Sequence, residues 1–272
     1  MELKLSAREY LAPGASYEEK MRWLVEAGYD AVEITGRPDL LDVVDEIAQA
    51  ARNTGCTVST ICSGARGALL AAEADQRELA VSDLKMFLTA AAELGAVGVI
   101  YAPLIAVKMN PGQYTRLPDL RPWLSVEQVE MELLSLLARE LAEHAANLGV
   151  CMLWEPLNRY EQWWFNRLEN GAALCDRVDS AGCKIMADFF HMSIEEDSIP
   201  AALRQWGPGY VRHVHLADSN RATPGHGSTD FAAAFAALAE IGYQGYMALE
   251  CAPRGDRLED LKRAAAFLRA QV

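Results

Sequence analysis

The sequence predicts an α/β fold, a single closed (β/α)8 barrel over residues 1–272, and three observations predict it. Short apolar runs recur eight times along the chain. Longer amphipathic segments lie between them. Five of those segments stop at a glycine that leads towards the next run. One such barrel commonly takes about 250 residues, and a chain of 272 with 51% hydrophobic residues has enough apolar side chains to fill it.

The runs occupy 3–6, 31–35, 57–62, 98–102, 150–155, 183–188, 211–215 and 246–250. Most are rich in Val, Ile, Leu, Tyr or Cys, as in parallel strands covered on both faces. The amphipathic segments are 17–27, 40–54, 77–94, 125–148 and 231–241, and they stop at Gly28, Gly55, Gly95, Gly149 and Gly242. Glycine there fits a left-handed helix C-cap. An open doubly wound sheet is the alternative. No glycine-rich phosphate fingerprint follows the first run, which favours the TIM barrel. One irregular stretch, 105–122, contains Asn110-Pro111-Gly112, Pro118 and Pro122. Its length and its place after the fourth strand suit a lid over the barrel mouth.

With 25 Lys+Arg against 38 Asp+Glu, the net charge is −13. That surface repels a nucleic-acid backbone and argues against a nucleic-acid partner. No run approaches the roughly 18 apolar residues of a membrane span, and the N-terminal Met1-Glu2-Leu3-Lys4-Leu5 does not read as a signal peptide. The six cysteines (Cys56, Cys62, Cys151, Cys175, Cys183, Cys251) are scattered without a CxxC pair. They read as free thiols of a reducing cytoplasm.

In a barrel of this kind the chemistry sits where the strands end. Four runs end on a metal-ligating residue: the fifth at Glu155, the sixth at Asp188, the seventh at His215 and the eighth at Glu250. Barrel closure would bring these together. Three carboxylates and an imidazole suit one divalent ion, Mn2+ first, with Mg2+ or Co2+ as alternatives, better than structural zinc. Without a cation, three such carboxylates would repel one another.

Three segments carry a family resemblance: EPLNRYE at 155–161, DFFHMSIEE at 188–196 and HVHLADSNRATPGHG at 213–227. Together they resemble the xylose-isomerase-like TIM barrels, and within them the ketose 3-epimerases that act on tagatose and psicose. The resemblance implies a small-molecule sugar substrate and an isomerase or epimerase reaction through an enediolate. It implies that Glu155 and Glu250 serve as the acid/base pair while binding metal, with Asp188 and His215 completing the ligand set. It also implies that Glu161, His191 and Arg221 contact substrate hydroxyls. The chain departs from the epimerases at Asp218, where they tend to carry glutamate, and from some of them at Pro156.

Other residues are open to two readings. Glu33, ending the second run, contacts substrate or forms a buried ion pair. His213 lies on the same strand face as His215 and supports it or packs below it. His226 meets a phosphate or solvent, and His144 lies on a helix surface. Trp154 packs in the core, Trp163 and Trp164 flank the first motif, and Trp123 covers the cavity or a dimer contact. Arg66, Lys108, Arg116 and Arg221 are the cations available to a sugar phosphate, although no compact basic nest is visible. The rival functions are an inosose-dehydratase-like lyase, a hydroxypyruvate isomerase, an apurinic-site nuclease and a catalytically silent sugar binder. Five histidines are few for a nuclease with several zinc ions. Self-association as a homodimer or homotetramer is expected of such a barrel.

Overall fold

The computed structural model describes residues 2–62 and 64–272; Met1 of the N-terminal segment lies outside them. Strands β1 (Lys4–Arg8), β2 (Ala31–Thr35), β3 (Thr57–Cys62), β4 (Gly98–Tyr101), β5 (Cys151–Trp154), β6 (Cys183–Asp188), β7 (Val211–Leu216) and β8 (Tyr246–Leu249) form a closed barrel in sequence order. Every pairing is parallel, and β8 closes on β1 from Lys4↔Tyr246 to Ala7↔Leu249. The predicted bounds of β2, β3 and β6 match the structure. Two kinds of shift matter for the site. Strand β1 continues to Arg8 because Arg8 still pairs with Glu33. Strands β5 and β8 stop one residue early, so Glu155 and Glu250 are the first residues beyond them.

Ten helices surround the strands: α1 (Tyr17–Glu26), α2 (Val44–Thr54), α3 (Ala74–Glu93), α4 (Ile105–Met109), α5 (Val126–Asn147), α6 (Leu168–Val178), α7 (Phe189–Glu195), α8 (Ile199–Trp206), α9 (Phe231–Glu240) and α10 (Arg257–Arg269), counted among the described residues. The five amphipathic segments are α1, α2, α3, α5 and α9. Their terminal glycines all have positive φ, from 67° at Gly95 to 92° at Gly28. Helices α1 and α5 begin in capping boxes, Ser16 with Glu19 and Ser125 with Gln128. The other five helices went unforeseen. In α6 the reason is Gly171, a weak helix former. A Cβ there would lie 2.6 Å from Ile185 Cγ2, so close packing of α6 on β6 demands the residue that masks the helix.

The stretch 105–122 is braced by neighbouring elements, and its Ile105 and Ala106 line the cavity. It opens with α4. Arg116 then donates Nε and Nη2 to the two oxygens of Glu130 at 2.7 and 2.9 Å, and its guanidinium stacks 4.1 Å from the Trp163 ring centre. Lys108 donates to the carbonyls of Arg159 and Gln162. Trp123 is 74% exposed and lies away from the cavity, so it does not cover it.

Between strands and helices the core is apolar, with Trp154, Phe87, Phe165, Phe189, Phe231 and Phe235 fully buried. Each such side chain contributes about 1.5–3 kcal/mol. Inside the barrel, near its mouth, the packing turns polar: Ser6, Glu33, Ser59, Thr60, His213 and His215 are all buried. Register shifts at Val32/Glu33 and Ile185/Met186 set Glu33 opposite Thr60 and Met186 opposite His213. Irregularities of this kind re-aim side chains beside sites.

Candidate metal centre and substrate cavity

Glu155, Asp188, His215 and Glu250 come from four consecutive strands and bring one ligand atom each within 4.8 Å of one another. His215 Nδ1 lies 3.3 Å from Glu250 Oε2, 3.7 Å from Asp188 Oδ2 and 3.8 Å from Glu155 Oε1. Asp188 divides its oxygens: Oδ1 accepts the Phe190 and His191 amides at 2.8 and 3.4 Å, capping α7, while Oδ2 faces the cluster. Buried Glu155 Oε1 and His215 Nδ1 have no hydrogen-bond partner among the described residues. Buried polar atoms normally have one. Two orphans aimed into a three-oxygen, one-nitrogen cluster fit a divalent ion.

Burial pushes the Glu155 carboxyl well above its usual range, and the neighbouring Glu250 and Asp188 charges add to the push. Burial acts on Glu250 too, but His215, Arg8 and Arg221 hold it below. Asp188 is likewise held down, by Arg221 and His191 against burial. Burial lowers the His191 imidazole, so it is neutral. Its Nδ1 accepts the Asn158 amide at 3.2 Å, while Nε2 lies 3.1 Å from Arg221 Nη1 and 3.6 Å from Asp188 Oδ2.

A cavity of about 310 Å3 opens over this cluster. Arg8, Glu155, Glu161, His191, Arg221 and Glu250 form its polar wall, and Ile100, Ala102, Ile105 and Leu157 are among its apolar lining. The structure therefore gathers five of the seven residues expected at the site on the cavity wall, and Asp188 and His215 complete the four-residue cluster beneath it. Two contributors were not singled out in the sequence. Arg8 was hidden because the apolar run ends at Ser6; its Nη1 lies 3.3 Å from Glu33 and 3.4 Å from Glu250. Buried Gln162 accepts the Leu104 amide at 2.8 Å and donates to the Glu155 carbonyl at 3.2 Å, tying the loops after β4 and β5 together.

The family model described as xylose isomerase-like TIM barrel matches residues 21–271. The chain belongs to that family. It is 33% identical over 253 residues, 92% of this chain and 93% of the relative, to a 3-dehydro-D-guloside 4-epimerase of Escherichia coli K12. A shorter segment of 112 residues, 41% of this chain and 38% of the relative, is 41% identical to a D-psicose 3-epimerase of Ruminiclostridium cellulolyticum. Among solved structures, a 3-keto-D-glucoside 4-epimerase from E. coli superposes with a TM-score of 0.86 at 31% identity, covering 99% of this chain and 100% of that one.

The loop after β7 is built around Asp218. Its carboxylate accepts the amides of Ser219 (2.8 Å), Gly225 (2.8 Å) and Thr229 (3.0 Å). A Cβ on Gly227 would lie 2.3 Å from Asp218 Oδ1, so the loop closes on Asp218 only with glycine there. The loop presents Arg221, at φ 61°, to Asp188 Oδ2 (3.0 Å) and to Glu250, with Phe190 4.6 Å beneath its guanidinium.

Asp260 on α10 anchors the same loop. It accepts from Thr223 (2.6 Å), the Arg254 amide (2.8 Å), His226 (3.0 Å) and Arg263. Burial alone would raise this carboxyl, but those hydrogen bonds pull it down to about 2. A value below that of the unfolded chain stabilises the fold fully above the ordinary carboxylate range and ceases to as pH falls through 2. Asp260→Asn is expected to cost about 2 kcal/mol at pH 7 in urea unfolding. The gap from wild type should narrow as the pH drops below 4; an unchanged gap would contradict the assignment.

The remaining two-way readings resolve. Glu33 is a buried ion pair away from the cavity, and His213 packs on it, Nε2 to Oε2 at 2.9 Å. His226 is held by Asp260, His144 is half-buried on α5, and Trp154 is core. Trp164 donates to Glu130 at 2.5 Å. The four phosphate candidates are engaged: Arg66 by Asp83, Arg116 by Glu130, Lys108 by carbonyls and Arg221 by the cluster. All six cysteines are free, and among the described residues no helix is long and apolar enough to cross a membrane.

Proposed function

We propose that this chain is a divalent-metal-dependent sugar epimerase that inverts a hydroxyl-bearing carbon beside a carbonyl. The observation that carries the reading is the placement of Glu155 and Glu250 at the two ends of a four-strand arc, facing one cavity, with Asp188 and His215 between them. Inversion removes a proton from one face of the carbon and delivers one to the other. One glutamate carboxylate takes the C–H proton, and the electron pair moves into the carbonyl to give an enediolate. The opposite glutamate then protonates the other face. A bound divalent ion, Mn2+ first and Mg2+ or Co2+ otherwise, supplies charge stabilisation for the enediolate oxygens. Glu161, His191 and Arg221 hold substrate hydroxyls and fix which carbon is presented.

Within this class, the relative that matches 92% of the chain favours a 3-keto glycoside, inverted at C4. The shorter D-psicose 3-epimerase match keeps a free ketose, inverted at C3, as the second reading. The engagement of the four candidate cations favours an unphosphorylated sugar. Free cysteines support a cytoplasmic protein, working as one catalytic unit over 1–272. Exposed Trp123 and Leu120 support self-association as a dimer or tetramer.

The test is to incubate Mn2+-loaded protein with a methyl 3-keto-glucoside or with D-psicose in D2O. Deuterium is expected at the inverted carbon of the product, at C4 for the glycoside, with no loss of water. A dehydrated product would move the assignment to a lyase. Absence of exchange with both substrates, by protein that binds Mn2+, would sink the epimerase reading.

A further inference from the structure

We infer that Glu33 is a positioning residue for the metal centre: its buried carboxylate grips His215 by Nε2 and thereby points Nδ1 at the ligand cluster. The inference rests on the metal-centre reading above and assigns a role to a residue outside the cavity. Glu33 is fully buried in the middle of β2. Its two oxygens lie 3.0 and 3.1 Å from His215 Nε2. An ionised carboxylate only accepts hydrogen bonds, so the ring hydrogen belongs on Nε2. Nδ1 then presents a lone pair to the position enclosed by Glu155, Asp188 and Glu250. A carboxylate behind a ligating histidine fixes the ring's tautomer and orientation and strengthens it as a donor.

The rest of the environment keeps Glu33 in place. Thr60 Oγ1 donates to Oε2 at 2.5 Å. His213 Nε2 lies 2.9 Å from the same oxygen. Arg8 Nη1 stands 3.3 Å from Oε1 and 3.4 Å from Glu250. One carboxylate therefore draws on β1, β3 and β7 at once, and through Arg8 it reaches a second ligand, Glu250. The side chains of β2 and β7 can meet only across the barrel interior, because those strands are not neighbours. The potential ligand atoms of Glu33, His213 and His215 also lie within 4.8 Å of one another. Direct Nε2–oxygen contacts and the Arg8 guanidinium already fill and neutralise that position, so it is a support and not a second ion site.

The experiment compares Mn2+ affinity by calorimetry in wild type, Glu33→Gln, Glu33→Asp and Thr60→Val, with melting temperature recorded for each. Co2+-loaded samples add the visible absorption of the ion, which reports its ligand field. Glu33→Gln is expected to weaken Mn2+ binding about 10–100-fold and to shift the Co2+ bands. Glu33→Asp keeps the charge beside Arg8 but withdraws the oxygens from Nε2. It should show the same direction of change and decides the matter if the glutamine variant does not fold. Thr60→Val removes a hydrogen bond from the same carboxylate without touching His215. It should lower the melting temperature yet leave Mn2+ affinity within about threefold and the Co2+ bands unmoved. Wild-type affinity and bands in a folded Glu33 variant would overturn the inference alone. Failure of the wild type to bind Mn2+ would instead overturn the metal reading on which it rests.

Discussion

Glu155→Gln and Glu250→Gln are each expected to lower kcat for epimerisation by about 10²–10⁴-fold, the usual weight of a general acid–base group. Glutamine keeps the shape of the side chain but can neither take the substrate proton nor return one. The two variants should not fail identically. With Glu155 replaced, Glu250 can still remove and return a proton on its own face. One epimer would then exchange its C–H with D2O without inverting. With Glu250 replaced, the other epimer would do so. Without an ion, burial and its neighbours raise Glu155 while His215, Arg8 and Arg221 hold Glu250 down. The measurement is NMR of each purified epimer in D2O, with metal content determined for each variant because both residues are also proposed ligands. Complementary exchange establishes two bases on two faces. If both variants at full metal loading wash out the same epimer, the two-base assignment is wrong.

The metal is expected to act on stability as strongly as on rate. Folding brings Glu155, Asp188 and Glu250 around His215, and a divalent ion relieves the repulsion among them. An ion that binds the folded chain at a hundredfold excess over its Kd stabilises it by about 2.7 kcal/mol. For a chain of this size that corresponds to roughly 5–10 °C in Tm. Differential scanning calorimetry with EDTA and with Mn2+ should show this gap in the wild type. Asp188→Asn keeps the α7 cap through an amide oxygen and loses a charged ligand, so its gap should shrink to a degree or so. A wild-type Tm indifferent to every divalent ion would remove the metal centre from the account.

The barrel was legible in the sequence because its signals are local. An apolar run reports a strand covered on both faces, and a glycine at positive φ reports where a helix must stop; neither depends on distant contacts. The four-residue cluster was legible for a related reason. In a closed parallel barrel the strand ends converge, so polar residues that terminate apolar runs have to meet. The helices that escaped notice, such as α6, carry residues chosen for tertiary contact: Gly171 is there for Ile185 and works against the helix that contains it.

What the tertiary structure decided is the support behind the ligands. Glu33 and His215 lie 182 positions apart, and their contact exists only because the barrel closes and a register shift sets Glu33 beside Thr60. Arg8 joined the site because β1 runs two residues past its last predicted position, held by pairing with β2. The bracing of the stretch 105–122 becomes visible only when Glu130 on α5 is seen gripping Arg116. Composition and periodicity fix which face of an element is buried. They carry no information on which buried polar groups will meet across the interior, since that depends on closure, register and the exclusion of water, all of which arise only when the whole chain has folded.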